Sequence, residues 1–404
     1  MIVRPAERTE YPEIYELVDL AFEGSPLESK MIEITAFEDK NFRKGDVKVV
    51  EIDGKIVSVV MIIRRPIRIG TAVVDGAMIA PLATNPEYEL KGCGSALMRD
   101  GVKYMKGKGI DIAHLWGHPG LYNRFGYTPA IMITEIVLNT QQPLPEITDS
   151  YECRPFKTED LEQVTEIYHS NSATRTLAEL RSAEMFDWKN CGDDIEFNVV
   201  VDKTDSVVGY YAIGQDWGRP CSQEIGVMTD SVSEFIFHRL LGRAKEKEIP
   251  QFYCLVNPEH PFARYAFRRY SPMVIKGGGG AGMVQVLNFV PLMTKLKEEF
   301  DRRIQHSEFV KTNFALNIIC GEEQVSISVE NGMISVSEDI IEAEFRLQIP
   351  LTGLNPLVTG YTGIHELLKN PVVKVKGGVK VIRLIDVLFP TGYPTGGNPP
   401  LVWE

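Results

Sequence analysis

Residues 75–109 read DGAMIAPLATNPEYELKGCGSALMRDGVKYMKGKG, and three kinds of segment follow one another in this stretch. An apolar, strand-like run ends at Thr84, and Gly92 and Gly94 then allow a tight turn that exposes backbone N–H groups. From about Ser95 onward, apolar side chains recur at helical spacing, which predicts a helix. Because free N–H groups and the helix dipole both favour an anion, the stretch predicts a phosphate site at the start of this helix.

Two other interpretations of this glycine loop remain open. A dinucleotide-binding domain places phosphate at the same kind of turn. However, the spacing KGCGSA, residues 91–96, differs from GxGxxG, and a long antiparallel hairpin precedes the strand where a βαβ unit would be needed. A plain tight turn between a strand and a helix, with no ligand, is the other alternative.

A second strand and a turn follow the helix. The run IDIAHLWG, residues 110–117, predicts a strand, and it leads into the turn HPGLYNRFGYTPA, residues 118–130. Tyr122 lies in that turn, shortly before a glycine. His114 and His118 are four residues apart, but on a strand and a loop they do not share a face as they would on a helix. A metal site is therefore not expected here.

The opening of the chain is repeated further along. VRPAERTEYPEIYELVDLAF begins at Val3 and CRPFKTEDLEQVTEIYHSNS begins at Cys153, so each copy predicts a short strand, a polar turn and an amphipathic helix. Each copy later contains a hairpin, at residues 47–63 and at residues 197–213. These shared orders of elements predict a duplicated domain. The second copy lacks the glycine loop, since its strand EIGVMT is followed by DSVSEFIFHRLL.

The character of the chain changes again from about Pro291. The pattern predicts a helix, several strands and a further helix, which is typical of a third, α+β domain. Just before it, KGGGGAG at residues 276–282 contains a formal GxGxxG, but no strand–loop–helix context supports it, so we interpret the glycines as a turn. The final stretch, PTGYPTGGNPPLVWE, is predicted to run extended, and its apolar end argues against disorder.

Composition limits the class of protein. With 404 residues, two or three domains are expected. The formal net charge of -12 argues against general nucleic-acid binding, and it fits a cationic substrate, although acidity often serves solubility alone. The six cysteines form no CxxC pair, and no apolar run reaches the ~18 residues of a membrane span. These features predict a cytoplasmic protein without a disulfide framework, a metal or a membrane span.

Two motifs make the chain resemble the GNAT (Gcn5-related N-acetyltransferase) superfamily. The acetyl-CoA loop of that family follows the pattern Val-x-Pro-x-x-Arg/Gln-x-x-Gly-x-Gly/Ala, and Thr84, Pro86, Gly92 and Gly94 match it. The later Tyr-x-x-x-Gly-Phe/Tyr pattern of the family is matched by YNRFGY, residues 122–127.

The whole layout resembles the enhanced-intracellular-survival (Eis) branch of this superfamily. The resemblance implies a mixed α/β and α+β fold class with tandem GNAT folds. It implies a catalytic GNAT domain at residues 1–145, a degenerate GNAT domain at residues 146–286 and a sterol-carrier-protein-2-like domain at residues 287–404. It also implies a homo-oligomer, a hexamer as in that branch, and a C-terminal tail that reaches the active site.

The resemblance further implies an acetyl-CoA-dependent N-acetyltransferase, with acetyl-CoA as cosubstrate and no metal. The acetyl group would pass to a primary amine, such as a polyamine, an aminoglycoside or a lysine side chain, in a ternary complex. Two parallel strands, ending at Thr84 and Gly117, would splay apart to hold the pantetheine arm. Tyr122 would protonate the leaving thiolate, and the carboxylates of Glu404 would act as the base. The cofactor-binding residues would be Leu82, Ala83, Thr84, Lys91, Gly92, Cys93, Gly94, Ser95 and Ala96, and the substrate-binding residues Phe22 and Glu23.

One residue of the loop departs from the family pattern. Glu89 stands where the family has Arg or Gln, and a carboxylate would repel a diphosphate. Lys91 and Arg99 are candidates to meet the phosphate charge instead. Two other functions stay open: a non-catalytic protein that senses or binds acetyl-CoA or a lipid, and an N-acetyltransferase that acts on peptides.

Overall fold

The computed structural model describes residues 1–24, 27–144, 146–147, 151–181, 195–216, 219–270, 272–277, 282–330 and 332–395. These residues divide into two compact units. The first unit contains Met1–Ile131, Thr176–Glu179 and the described part of 279–396, and the second contains Met132–Arg175 and the described part of 180–278. The division into three consecutive domains stays a prediction.

A seven-stranded sheet forms the N-terminal part of the first unit. Its neighbouring strands are antiparallel except for one central parallel pair, β4 with β5. The order across the sheet is β1 (Ile2–Pro5), β2 (Val47–Ile52), β3 (Lys55–Ile69), β4 (Ala72–Thr84), β5 (Ile112–Trp116), β14 (Gly282–Val286) and β6 (Thr128–Pro129).

Helices cover both faces of this sheet. α3 has apolar residues on one face, including Leu97 and Met105, and these pack on strand residues such as Ile62 and Ala113. On α1 the buried residues Ile14 and Val18 recur at helical spacing and turn that face toward the core. The helices are α1 (Tyr11–Ala21), α2 (Leu27–Glu38), α3 (Cys93–Gly107) and the short α4 (Pro119–Tyr122).

The second unit is built on another seven-stranded sheet. The order across it is β8 (Glu152–Pro155), β9 (Glu196–Val201), β10 (Val207–Asp216), β11 (Arg219–Val227), β12 (Gln251–Cys254), β7 (Ile133–Asn139) and β13 (Met273–Gly277). Its helices are α5 (Leu161–Asn171), α6 (Asp230–Glu246) and α7 (Pro261–Arg269). Here too one central pair, β11 with β12, is parallel.

The two sheets have the same strand order, which is consistent with the predicted duplication. Each copy also contains the same ion pair at its start: the Arg4 guanidinium donates to Glu10 at 2.6 Å and 2.8 Å, and that of Arg154 donates to Asp160 at 2.7 Å and 2.8 Å. The sixth position of each sheet is exchanged, however. β14, from the second copy, lies between β5 and β6, and β7, from the first copy, lies between β12 and β13.

The C-terminal part of the first unit is an α+β segment, as the sequence predicts. Its sheet has the order β17, β16, β15, β18, β19. Its core is continuous with that of the first sheet, because Ile67 and Val74 belong to the same buried cluster as Phe289 and Phe300. The elements are α8 (Phe289–Lys295), α9 (Lys297–Gln305), β15 (Phe314–Cys320), β16 (Glu323–Glu330), β17 (Met333–Ser337), β18 (Phe345–Gln348), α10 (Leu351–Thr359), α11 (Ile364–Leu367), β19 (Lys374–Lys376) and α12 (Gly378–Leu388).

None of the described helices combines the length and the apolar character that crossing a bilayer requires.

Candidate active site

The parallel strands β4 and β5 separate from each other in the middle of the first sheet. Their pairing runs from Gly76 opposite Ile112 to Met78 opposite His114. β4 nevertheless continues to Thr84. Beyond Met78 the edge of β4 that faces β5 is therefore free to pair with an extended ligand, as a sheet edge does.

A bulge bends β4 at the point where the two strands separate. Ile62 of β3 lies opposite Ile79 and Val60 lies opposite Leu82, so two residues of β4, Ala80 and Pro81, occupy the space of one residue of β3. Such a bulge bends and twists a strand, and it accommodates a proline, which has no N–H to donate.

The end of β4 is fixed by a buried serine. The Ser58 hydroxyl donates to the carbonyl of Ala83 at 2.7 Å and lies 2.7 Å from the Thr84 hydroxyl. Since Ser58 is fully buried, these bonds hold the last residues of β4 in one position.

Helix α3 begins with free amides. Gly92 precedes it with φ +85°, a left-handed conformation that favours glycine, and Ala96 N–H makes the first helical bond, to the Gly92 carbonyl. The N–H groups of Cys93, Gly94 and Ser95 have no intrahelical acceptor by geometry. No side chain caps this end and its first turn contains no acidic residue. The start of α3 is thus suited to an anion.

A cleft of about 510 Å³ connects the free edge of β4 with the start of α3. It brings together most of the residues predicted from the sequence. Lys91, Ala96 and Glu23 are not among its lining residues, and Glu23 is exposed. The lining residues are Ala21, Phe22, Leu82, Ala83, Thr84, Tyr88, Glu89, Leu90, Gly92, Cys93, Gly94, Ser95, Leu121, Tyr122 and Arg124.

Arg124 supplies a positive charge that the sequence reasoning missed. Its Nη2 donates to the Ser95 hydroxyl at 2.9 Å, which places the guanidinium at the start of α3. Neither of the two residues suggested from the sequence lines the cleft: the Lys91 ammonium is 4.6 Å from the centre of the ring of Tyr88, which does line it, and Arg99 is exposed further along α3. One feature of the sequence could have pointed to Arg124: it lies inside the YNRFGY motif, two residues after Tyr122.

Tyr122 is held against a glycine. A Cβ on Gly117 would lie 2.3 Å from Cε2 of Tyr122, so the ring can occupy this position only because residue 117 has no side chain. Burial raises the pKa of Tyr122. The phenol therefore keeps its proton at neutral pH and can donate it in a reaction.

The base predicted from the family resemblance is Glu404. Glu404, with Leu401, Val402 and Trp403, lies outside the described residues, so its role stays a prediction. In the described part of the chain, no group of three or more His, Cys, Asp or Glu side chains is arranged to hold a metal ion.

Comparison with known proteins finds a family match for the N-terminal region. Residues 2–130 match the family described as acetyltransferase (GNAT) domain. Over 52 residues, this chain is 36% identical to a curated relative, the uncharacterized N-acetyltransferase YjhQ of Escherichia coli (strain K12). That match covers 13% of this chain and only 29% of the relative.

Solved structures match almost the whole chain. A GCN5-related N-acetyltransferase from Kribbella flavida has a TM-score of 0.73 at 15% identity, over 98% of this chain and 97% of the other. A probable N-acyltransferase from Enterococcus faecalis V583 has a TM-score of 0.76 at 14% identity, over 97% of both chains. Eis1 from Mycobacterium abscessus has a TM-score of 0.67 at 15% identity, over 98% of this chain and 100% of the other. At these identities the likeness concerns the fold: it confirms the predicted mixed α/β class and is consistent with a tandem arrangement of GNAT folds.

Proposed function

We propose that this chain, whose residues 2–130 form a GNAT acetyltransferase domain, transfers the acetyl group of acetyl-CoA to a primary amine. The observation that carries the proposal is the cleft that runs from the free edge of β4 to the uncapped start of α3. A cleft with an extended edge at one end and an anion site at the other fits a ligand made of a flexible amide-containing arm and a diphosphate.

The start of α3 would hold the diphosphate. The amides of Cys93, Gly94 and Ser95 point along the helix axis toward the cleft, and the helix dipole adds a partial positive charge there. Arg124, already bonded to Ser95, would add a full charge. This charge offsets the carboxylate of Glu89, which also lines the cleft.

The free edge of β4 would hold the pantetheine arm. The amide groups of the arm would pair with the backbone N–H and C=O groups of β4 past Met78, as an added strand does. A backbone N–H between Leu82 and Thr84 would donate to the thioester carbonyl and stabilise the negative charge that develops on its oxygen.

Transfer then requires a neutral amine and a proton for the leaving group. The amine nitrogen forms a bond to the acetyl carbon, and the bond between that carbon and sulfur breaks. Tyr122 gives its proton to the sulfur, and the amine loses one proton to a base. By the family resemblance the base is a carboxylate of Glu404.

The likeness to Eis1 supports a finer assignment, to the Eis branch. We infer that residues 1–145, 146–286 and 287–404 correspond to an active GNAT domain, a degenerate one and a sterol-carrier-like domain. We also infer a homo-oligomer and a cytoplasmic location. The α+β segment around β15 to β19 is compatible with the third assignment.

The test is a turnover assay with the purified full-length chain. Acetyl-CoA is mixed with spermidine, kanamycin or a peptide with one free lysine, and thiol release is followed together with the mass of each amine. We expect release of CoA with at least one amine and a gain of one acetyl group on it. Binding of CoA without release, for every amine, would instead indicate a sensor or binding protein.

A further inference from the structure

The second sheet separates at its parallel pair in the same way as the first. Its strands β11 and β12 pair no further than Ser222 opposite Cys254, whereas β11 continues to Val227. In the described part of the chain, no strand pairs with β11 on that side beyond this point. Val227 is only 1% exposed, and buried backbone groups need hydrogen-bond partners.

The backbone of Val227 faces this free edge. Gly209 of β10 lies opposite Val227, and the Met228 N–H donates to the Val208 carbonyl at 3.1 Å. In an antiparallel ladder such a bond flanks a pair of residues that are not bonded to each other. The N–H and C=O of Val227 therefore point away from β10, toward the space that β12 leaves.

Asn171, the last residue of α5, binds both of these backbone groups. Its Nδ2 donates to the Val227 carbonyl at 2.8 Å, and its Oδ1 accepts from the Val227 N–H at 2.8 Å. One carboxamide thus makes the pair of bonds that an added strand would make.

A second side chain of this copy contacts the same edge. Ile225 lies two residues before Val227 without a shift of register between them, so its backbone groups also point away from β10. The Ile225 backbone is a hydrogen-bond partner of the His260 ring, and His260 is only 4% exposed. His260 precedes α7 as His118 precedes α4 in the first copy, but His118 is exposed. Side chains of the second copy therefore fill the edge of β11.

The strand edge of the first copy has the same backbone geometry. Thr84 of β4 lies opposite Ser58, and the Asn85 N–H donates to the Val57 carbonyl at 2.9 Å. Thr84 and Ser58 are thus not bonded to each other through the backbone, and the N–H and C=O of Thr84 point away from β3. Thr84 corresponds to Val227.

Ala21 takes the position of Asn171 in the first copy. It is the last residue of α1, as Asn171 is of α5, and the same number of residues separates the two as separates Arg4 from Arg154. Ala21 and Thr84 both line the cleft. A methyl group cannot bond to a backbone, so the N–H and C=O of Thr84 stay available to a ligand.

We infer that the side chain at the end of this helix decides whether a copy admits the arm of acetyl-CoA. Asn171 binds the edge of β11 and closes the second copy, whereas Ala21 leaves the Thr84 backbone to an amide of the arm. The inference rests on the proposed function, and it makes Ala21 a residue that determines cofactor binding by its small size.

Ala21→Asn transfers the closure to the first copy. We expect the Kd for CoA, measured by calorimetry, to rise by about tenfold or more, because the new carboxamide competes for two backbone bonds. The KM for acetyl-CoA should rise with it, whereas kcat should change less, since saturating cofactor displaces the side chain. Leu20→Asn is the matched control and should match the wild type, because Leu20 is 56% exposed on the same helix and does not line the cleft.

Ala21→Leu separates hydrogen bonding from bulk. Leucine is similar in size to asparagine but offers no donor or acceptor to the Thr84 backbone. We expect a smaller loss of CoA affinity than with Ala21→Asn. An equal loss would mean that any larger side chain blocks the cleft, and the inference would be wrong.

Hydrogen exchange of single amides tests the contact itself, without turnover. In the ligand-free wild type, the Val227 amide should be protected and the Thr84 amide should exchange faster. Ala21→Asn should slow exchange at Thr84 by about tenfold, Ala21→Leu should leave it unchanged, and Asn171→Ala should speed exchange at Val227. Unchanged exchange at Thr84 in Ala21→Asn would overturn the inference.

The same measurements distinguish failure of the inference from failure of the proposed function. If the wild type binds CoA but acetylates no amine, the proposed reaction fails, and a weaker affinity of Ala21→Asn for CoA still supports the role of residue 21. If the wild type does not bind CoA, both are wrong.

Discussion

Charge at the start of α3 is decided by single side chains. Glu89 places a carboxylate in the cleft, and the family pattern has a basic or amide residue there. Arg124 offsets it from a different segment, through its bond to Ser95. The sequence predicts the anion site but not this cation, because nothing in the spacing tells which of several basic residues folds back on the glycine loop.

Arg124→Gln tests this assignment at the level of one guanidinium. Loss of a charged contact to a phosphate should raise the KM for acetyl-CoA by roughly tenfold, with little change in kcat at saturation. The matched control is Arg99→Gln, since Arg99 is exposed on α3 and does not line the cleft. Steady-state kinetics at low ionic strength decide the point. Equal effects of both substitutions would indicate a general effect of net charge.

Tyr122→Phe removes one hydroxyl and keeps the ring that packs over Gly117. If the phenol protonates the leaving thiolate, kcat should fall by more than about tenfold, whereas the affinity for acetyl-CoA should stay the same. Single-turnover acetyl transfer and calorimetric binding of CoA measure the two quantities. An unchanged rate would exclude Tyr122 as the acid.

At the scale of elements, the two copies differ at the start of one helix. α3 starts after Gly92 without a side-chain cap, whereas α6 has Thr229, whose hydroxyl accepts from Val232 N–H at 3.3 Å, and Asp230 in its first turn. The Thr229 side chain therefore satisfies one amide at the start of α6, and the Asp230 carboxylate lies at the positive end of the helix dipole. The sequence already predicts that the second copy has no anion site at this helix, because it has no glycine loop. We infer that the second copy serves as scaffold.

Helix α9 contacts the β3–β4 hairpin through one buried carboxylate. Glu299 accepts from the Thr71 hydroxyl at 2.6 Å, from Arg302 at 2.7 Å and from Arg303 at 2.6 Å. Burial alone would raise the pKa of Glu299, but the bonds from Arg302 and Thr71 and the charge of Arg303 lower it to about 2. The ordinary value is 4.5, so the folded state binds the proton less well than the unfolded state does.

The pH dependence of stability follows from the direction of that shift. The contribution of Glu299 is complete above about pH 4.5 and is lost as the pH falls toward 2. Glu299→Gln should lower the free energy of unfolding at pH 7 by roughly 2–4 kcal/mol, because the two arginines lose their counter-charge. Urea unfolding at pH 7, 4 and 3 should show the gap between wild type and variant narrowing with acid. A gap that stays constant would mean that the carboxylate charge contributes nothing.

At the scale of the whole molecule, the sequence predicts the duplication but not the exchange of strands. Helix and strand periods, the Arg4 and Arg154 segments and the glycine loop are local signals, and the structure follows them. Whether β7 or β14 completes a given sheet depends on long-range pairing, and both are short strands that contain several apolar residues, seven residues long in β7 and five in β14. No local pattern distinguishes the two arrangements.

The exchange has a consequence for fragments of this chain. Residues 1–145 contain β7 but lack β14, so β5 and β6 would have no strand between them. We expect this fragment to show no cooperative thermal unfolding by circular dichroism and little amide protection from hydrogen exchange. A fragment with residues 1–131 joined to 282–395 should fold, because it restores β14. The joint can be short, since Ile131 N–H donates to the Gly282 carbonyl at 3.2 Å. Cooperative folding of residues 1–145 alone would mean that β7 can replace β14, and that the exchange is not required for the first sheet.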